Sequence, residues 1–385
     1  MLKKPPLSLY IHVPWCIRKC PYCDFNSHES NSSLPEKEYI AALYSDFLYE
    51  FSKLPDQKIE LQSIFIGGGT PSLFKGDSYR LLLDSIKDHL NFSESIEITL
   101  EANPGSSDIK KFSSYRKAGI NRLSLGIQSF DHKKLQKLGR IHDKQQSIDA
   151  IKIAKQAGFR NFNLDLMHGL PEQKTEEALE DLRIAIDTTP NHISWYQLTI
   201  EPNTVFYNHP PILPSDSKII DIQEEGNELL EAHGYKQYEV SAFAIDGKTS
   251  LHNRNYWSFG DYIGIGAGAH GKLTLVNEQK IFRTRKVRQP DQYVTRIENR
   301  DAEIKEVSTE ERALEFLMNA LRLKAGFSQE LFEKRTGIAF SDISQKVQTQ
   351  IDKGLMYKNI TDRGVVYTTT KKGYRFLNSV LEEFL

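Results

Sequence analysis

The chain has 385 residues, of which 39% are hydrophobic and 26% charged, and a formal net charge of −1. This balance fits a large globular core and gives no electrostatic case for nucleic acid as a main partner. No run approaches about 18 uninterrupted apolar residues, the length a transmembrane helix needs, so no transmembrane segment is expected.

The start, Met1-Leu2-Lys3-Lys4-Pro5-Pro6, lacks the apolar core and cleavage site of a signal peptide. The three cysteines all lie between positions 16 and 23. An odd, clustered set fits a metal or redox site in a reducing compartment better than a disulfide framework, so a cytoplasmic location is expected.

In chain order, β-type runs are predicted at residues 7–13, 63–67, 95–101, 122–128, 161–167 and 192–198. Helical patterns fall between and after them, at 36–53, 78–90, 109–118, 132–138, 145–157 and 175–188. Strands alternating with helices imply parallel βα units in a barrel or an open α/β sheet. Each strand also alternates internally. Leu7, Leu9, Ile11 and Val13 share one face, and Ser8, Tyr10 and His12 the other. Ile96, Ile98 and Leu100 oppose Glu97, Thr99 and Glu101, while Leu123, Leu125 and Ile127 oppose Ser124, Gly126 and Gln128. Phe162, Leu164 and Leu166 oppose Asn163 and Asp165. Helices must cover the apolar face, which leaves the polar face lining the concave side. A complete (β/α)8 barrel fills that space with bulky aliphatic side chains. The expectation is therefore a wide, incomplete barrel whose lumen holds a large polar ligand. An antiparallel sheet with one solvated face is the other reading of the alternation.

Beyond residue 201, Pro202, Pro210, Pro211 and Pro214 break the pattern, and a helix is predicted at 219–233. A glycine- and aromatic-rich stretch follows at 235–273, and the basic segment 283–288 reads as a solvated face. Near the end, Leu314, Leu317, Met318 and Leu321 mark an amphipathic helix. Helices at 328–336 and 341–353, two short strands around Asp362-Arg363-Gly364 and a final helix complete a winged-helix-like pattern without a basic recognition helix. The expected fold is α/β. Residues 1–240 form a partial (β/α)6 barrel, 241–305 an extension, and 306–385 a small winged-helix-like α+β domain.

Directly after the first strand comes His12-Val13-Pro14-Trp15-Cys16-Ile17-Arg18-Lys19-Cys20-Pro21-Tyr22-Cys23, a C-x3-C-x2-C spacing. Thiolates ligate iron–sulfur clusters, and three from one loop can hold three irons of a cubane and leave the fourth open. A zinc site completed by His12 or His28 is the alternative. Gly67-Gly68-Gly69-Thr70-Pro71 ends the second strand, either opening the backbone to a ligand or making a plain turn. Glu101 ends the third strand on the inward face, as a lumen ligand or as a solvated carboxylate.

With an aromatic residue before its third cysteine, the spacing resembles the signature of the radical S-adenosylmethionine (SAM) superfamily. The resemblance implies a [4Fe–4S] cluster on Cys16, Cys20 and Cys23, SAM chelating the open iron, and an electron donor. Reductive cleavage of SAM to a 5′-deoxyadenosyl radical is the implied chemistry. Gly68 and Gly69 then lie at the methionine amino group and Glu101 at the ribose, with inward-facing Tyr10 among the cofactor-binding residues.

Over essentially the whole chain the sequence is similar to the oxygen-independent coproporphyrinogen III oxidase group, whose oxidase carries a second SAM. Tyr22, Gly69, Thr70, Gln128, Arg140 and Asp165 match the positions around it. Two departures point to the sister family of haem chaperones. Phe25 stands where the oxidase has a fourth cysteine, and only fifteen residues precede Cys16. That family carries an HNxxYW motif, matched here by His252-Asn253-Arg254-Asn255-Tyr256-Trp257. Imidazole is a standard haem-iron ligand, and the aromatic pair can stack on a porphyrin. Haem on His252 and an acceptor apo-haemoprotein are the implied partners, with oxidative decarboxylation of coproporphyrinogen III as the alternative function. Residues 264–271 are expected to be structural, and Trp15, Phe25 and Asn26 to pack around the cluster.

Overall fold

The computed structural model describes the chain except residues 31–32, 55–58, 107, 246 and 362–363 and the side chain at 106. Six strands run in the predicted order: β1 (Leu7–Val13), β2 (Glu60–Gly68), β3 (Asn91–Ala102), β4 (Arg122–Gln128), β5 (Asn161–His168) and β6 (His192–Gln197). Each pairs with the next in parallel, which removes the antiparallel reading. The connections carry α1 (Glu36–Ser52), α2 (Gly76–Lys87), α3 (Ile109–Lys117), α4 (His132–Lys137), α5 (Lys144–Gln156) and α6 (Thr175–Asp187). Asp108, Asp131 and Asp143 start three of these helices by accepting from backbone N–H groups of the first turn. The helices bury the apolar strand face, where Leu9, Ile11, Leu100, Leu125 and Leu164 meet Leu43, Phe47, Leu82, Phe112 and Ile151. The polar face is left for the lumen, as the alternation predicts.

The parallel run continues one strand beyond the six expected. After α7 (Asp216–Ala232), β7 (Lys236–Glu239), β8 (Ala242–Ala244) and α8 (Leu251–Trp257), strand β9 (Asp261–Ile265) inserts beside β1, parallel to it. Then β10 (His270–Leu275), β11 (Lys280–Lys286) and β12 (Asp301–Glu306) extend that side antiparallel. Among the described residues the sheet has twelve strands, in the order β12-β11-β10-β9-β1-β2-β3-β4-β5-β6-β8-β7, and is not closed. Within the segment 264–271, expected to be structural, the backbone packs closely against β1, while Gly268 and His270 line a cavity. Gly266 has φ +105°, and a Cβ there would lie 2.3 Å from the His12 carbonyl oxygen.

The basic segment 283–288 is not a solvated face. Arg283 and Arg285 on β11 are half-buried, whereas Lys286 is fully buried, with its Nζ 2.8 Å from Asp46, 2.5 Å from Glu50 and 2.7 Å from Asp301. Period-two alternation sends neighbours to opposite faces, and three carboxylates compensate the inward lysine.

The C-terminal segment packs around a second core of Phe316, Leu317, Phe327, Phe332, Val347 and Tyr367, which also takes in Leu2, Phe259 and Ile281. It contains α9 (Thr309–Ala320), β13 (Phe327–Ser328), α10 (Gln329–Thr336), α11 (Ser341–Asp352), β14 (Met356–Thr361) and β15 (Gly364–Thr369). Its sheet is ordered β13-β15-β14 and antiparallel. Of the tripeptide predicted between the last two strands, Asp362 and Arg363 lie outside the described residues. Met318, expected in the apolar stripe of α9, is 52% exposed. Leu314, Leu317 and Leu321 do face the core, joined by Phe316 and Ala320, and Phe316 fills the place expected of Met318. No helix among the described residues is long and apolar enough to cross a membrane.

Candidate functional site

The cysteine loop leaves the end of β1 and is folded back by His28 N–H to Pro14 O at 2.7 Å and Ser30 N–H to Cys16 O at 3.0 Å. Trp15 anchors it, with ring centroids 4.7 Å from Tyr39 and 5.9 Å from Phe74. Cys16, Cys20 and Cys23 are free and half-buried. Thr70 Oγ1 donates to Cys16 Sγ at 3.5 Å, and Arg140 Nη1 to Cys20 Sγ at 3.7 Å. The Ser27 hydroxyl lies 3.6 Å from Cys23 Sγ. Asn103 joins the first two contacts: its Nδ2 donates to Thr70 Oγ1 at 3.0 Å and its Oδ1 accepts from Arg140 Nη2 at 2.7 Å. Burial pushes the Cys16 thiol up to about 11, against the lowering effect of Thr70, and raises Cys23 as well. The thiolate forms therefore need positive charge beside them, which iron supplies, and donors aimed at sulfur are what cluster ligands use.

Zinc fits less well. His12 Nδ1 lies 2.9 Å from Tyr10 OH, and its Nε2 lies 2.8 Å from the Asn26 carbonyl. His28 Nε2 is engaged by Asn26 Oδ1 at 3.2 Å. Among the described residues no three His, Cys, Asp or Glu side chains converge on a single-ion position.

Past the loop, the C-terminal ends of the parallel strands present the remaining candidates. Gly68 has φ +116°, and a Cβ there would collide with the His12 ring at 2.6 Å, so glycine is required. Its N–H donates to Glu101 Oε2 at 3.1 Å. Burial first, then the charge of Asp165, pushes the Glu101 carboxyl up to about 8. Asp165 accepts from Ser124 Oγ and Asn163 Nδ2, both at 2.8 Å. Gln128 ends β4 at φ +70°, a left-handed conformation that costs energy in a non-glycine residue. Its Oε1 accepts from Tyr196 OH at 2.7 Å. Tyr22 packs with Phe206, ring centroids 6.5 Å apart, beside Leu138 and Met167. Arg140 is half-buried and also donates to the Gly126 carbonyl at 2.7 Å. Asn103 and Tyr196 were not anticipated. Period-two alternation along β6 puts Tyr196 on the face of His192 and Ser194, and Asn103 follows Glu97, Thr99 and Glu101 at the same spacing, which is the available signal for both.

His252 stands apart from this group, on α8 and deeper in the lumen. Ser250 caps the helix by accepting from Asn253 N–H, and Asn255 Nδ2 ties it to β1 through Ser8 Oγ at 2.9 Å. The residues of the HNxxYW motif thus divide by helical period: 252, 253, 256 and 257 face a cavity of about 670 Å³, and 255 faces the sheet. The His252 ring lies 5.2 Å from Phe65 and 6.4 Å from Tyr10 between centroids, and its Nδ1 is 3.2 Å from Ser63 Oγ. Its Nε2 has no hydrogen-bond partner among the described residues. Burial and then Arg122 lower its pKa to about 3, which keeps the imidazole neutral. Phe25, expected to pack around the cluster, is 62% exposed and lines this cavity instead. Asn26 lines it too while donating to the Ala267 and Arg288 carbonyls, each at 2.8 Å.

Residues 10–185 match the radical SAM superfamily, and 307–367 match the HemN C-terminal domain. Heme chaperone HemW of Haemophilus influenzae is 50% identical over 100% of this chain and 99% of its own length. The chain belongs to the HemW family. HemW of Escherichia coli is 47% identical over 100% of both chains, and HemW of Bacillus subtilis 35% identical over 98% of this chain and 99% of its own. The chain also shares the fold of the radical SAM coproporphyrinogen III oxidase HemN of Escherichia coli. The TM-score is 0.80 at 21% identity, over 99% of this chain and 90% of that one.

Proposed function

We propose that the protein is a cytoplasmic haem chaperone that holds haem on His252 inside the lumen and hands it to an acceptor apo-haemoprotein. The observation that carries this reading is a buried, neutral imidazole with an unpartnered Nε2, facing a cavity of about 670 Å³ walled by Tyr10, Phe65, Tyr256 and Trp257. That volume is in the range of sites that enclose a cofactor-sized ligand. The names of the HemW relatives support the same assignment.

In this reading Cys16, Cys20 and Cys23 hold a [4Fe–4S] cluster, and Thr70 and Arg140 donate to two of its sulfur ligands. Gly68 and Gly69 leave backbone open beside the cluster for the methionine amino group of SAM. Glu101 offers its carboxyl to the ribose, and Tyr10 closes the inner side. Tyr22, Thr70, Gln128, Arg140 and Asp165 surround a further SAM position. When bound, cluster and SAM supply one-electron chemistry fed by an external electron donor. The chain's own part is to orient them at the strand ends while keeping the haem site on a separate helix. The units 1–240, 241–305 and 306–385 divide this work, the middle one contributing α8 and β9 to the lumen.

Purified, anaerobically reconstituted protein should contain about four irons per chain, and Cys16→Ala, Cys20→Ala or Cys23→Ala should each abolish its brown chromophore. It should bind haem with a Soret band that His252→Ala shifts or weakens, with the cluster intact. Haem should also pass to an apo-haemoprotein faster from the wild type than from the variant. Identical haem spectra and transfer rates for the two proteins would remove His252 from the site. Robust decarboxylation of coproporphyrinogen III in the presence of reductant and SAM would overturn the chaperone reading.

A further inference from the structure

The cavity beneath His252 changes chemistry between its depth and its mouth. At depth lie buried His252 and the rings of Tyr10, Phe65 and Trp257. At the mouth, β10, β11 and the turn after β11 supply His270, Arg285 and Arg288, of which His270 and Arg288 are exposed. Arg288 offers its terminal guanidinium nitrogens without a partner among the described residues, its Nε alone lying 3.4 Å from Asn26 Oδ1. Arg285 reaches Glu303 at 3.0 Å through Nη2, a half-exposed pair, and its buried Nε has no partner. Among the described residues, the one carboxylate lining the cavity is that of exposed Asp24.

We infer that Arg285 and Arg288 receive the two propionate carboxylates of the haem, and this rests on the reading of the cavity as the haem site. Haem is apolar over most of its edge and carries both carboxylates on one side. Guanidinium groups pair with carboxylates in planar geometry; Arg288 offers both terminal nitrogens for a bidentate pair, and Arg285 offers Nη1 beside its Nη2 contact with Glu303. With the propionates at the mouth, the carboxylate-free edge of the ring meets Phe65 and Trp257. The same polarity sets specificity. A porphyrin with carboxylates on every side would push at least one against the inner aromatic wall, where a buried unpaired charge is costly.

The test compares haem with haem dimethyl ester, whose propionates are uncharged, on anaerobically reconstituted full-length protein. Wild type should bind the ester about ten-fold more weakly than haem, the combined worth of two rim ion pairs. R285Q/R288Q should bind the two alike, at the level of the wild type with the ester, with an unshifted Soret band. R288Q alone, an exposed position that carries no folding burden, should lose part of the preference. If R285Q/R288Q favours haem over its ester by the wild-type factor, while His252→Ala still loses the band, the inference is wrong and the haem reading stands. If His252→Ala leaves the haem spectrum unchanged, the reading beneath the inference fails.

Discussion

Thr70 and Arg140 come from distant parts of the chain, yet both reach sulfurs of the cysteine loop, and Asn103 holds each of them through one end of its amide. Hydrogen bonds to cluster sulfurs tune the reduction potential. Asn103→Ala should therefore leave about four irons bound while lowering the midpoint potential, because both donors lose the partner that aims them. Potentiometric titration followed by electron paramagnetic resonance reads this, and an unchanged potential would show that Asn103 has no part in it. Glu101 gives a second test at this scale. Its carboxyl is pushed up to about 8 by burial and by Asp165, from an ordinary value of 4.5. Between these two values the folded state holds a proton that the unfolded chain has released. Stability of the cofactor-free protein therefore falls as pH rises through that window and levels off above it. Glu101→Gln should gain on the wild type from pH 5 to 8, by up to about 1.4 kcal/mol per pH unit, in urea unfolding. Parallel pH profiles would place that proton elsewhere.

Helix α8 is seven residues long, too short to hold together without tertiary contacts. Glu97, on the inward face of β3, supplies one: its Oε1 accepts from Leu251 N–H at 3.0 Å, His252 N–H at 3.3 Å and Ser250 Oγ at 3.3 Å. Its other oxygen lies 3.8 Å from Arg122 Nε, and both side chains are buried. Glu97→Ala removes the anchor and the carboxylate paired with buried Arg122, which should cost about 3 kcal/mol in denaturant unfolding and shift the Soret band of the haem-loaded protein. Wild-type stability in the variant would contradict this role. The division between what the sequence disclosed and what it hid follows the range of the interactions. Strand faces, helix positions and the cysteine spacing are local, so Tyr10, Glu101, Gln128 and Asp165 were legible as inward-facing. Glu97 was legible as inward-facing too, but its partner helix lies more than 150 residues further on. Strand β9 was hidden because Asp261-Tyr262-Ile263-Gly264-Ile265 reads as part of a glycine-rich stretch, and β9 becomes a strand by pairing with β1. His252 was marked by its motif, whereas its burial against Phe65 required the fold.

Across the whole molecule, the antiparallel wing β10–β12 is fastened to the barrel by the buried charges around Lys286. Asp46 and Glu50 come from α1, Asp301 from β12, and Lys53 adds a second cation 2.8 Å from both Glu50 and Asp301. Tyr293 OH donates to Asp46 Oδ2 at 2.7 Å and accepts from Gly266 N–H at 2.9 Å, which carries the fastening to the turn that follows β9. Burial pulls the Lys286 ammonium down, but the three carboxylates outweigh it and hold its pKa above the ordinary value. The stabilisation from this lysine is thus present throughout neutral pH and is lost only as strongly alkaline conditions remove its proton. Lys286→Met keeps most of the side-chain volume and leaves three buried carboxylates facing Lys53 alone. The expected loss is about 3–5 kcal/mol in chemical denaturation. Adding Asp301→Asn should return part of that loss, since it removes one uncompensated charge without emptying the space. Because Arg285 precedes Lys286 on the same strand and lines the cavity proposed for haem, the single variant should also weaken haem binding without touching the cavity directly. A Lys286→Met protein with wild-type stability and wild-type haem affinity would show that the wing is held by its strand pairing and not by this charge cluster.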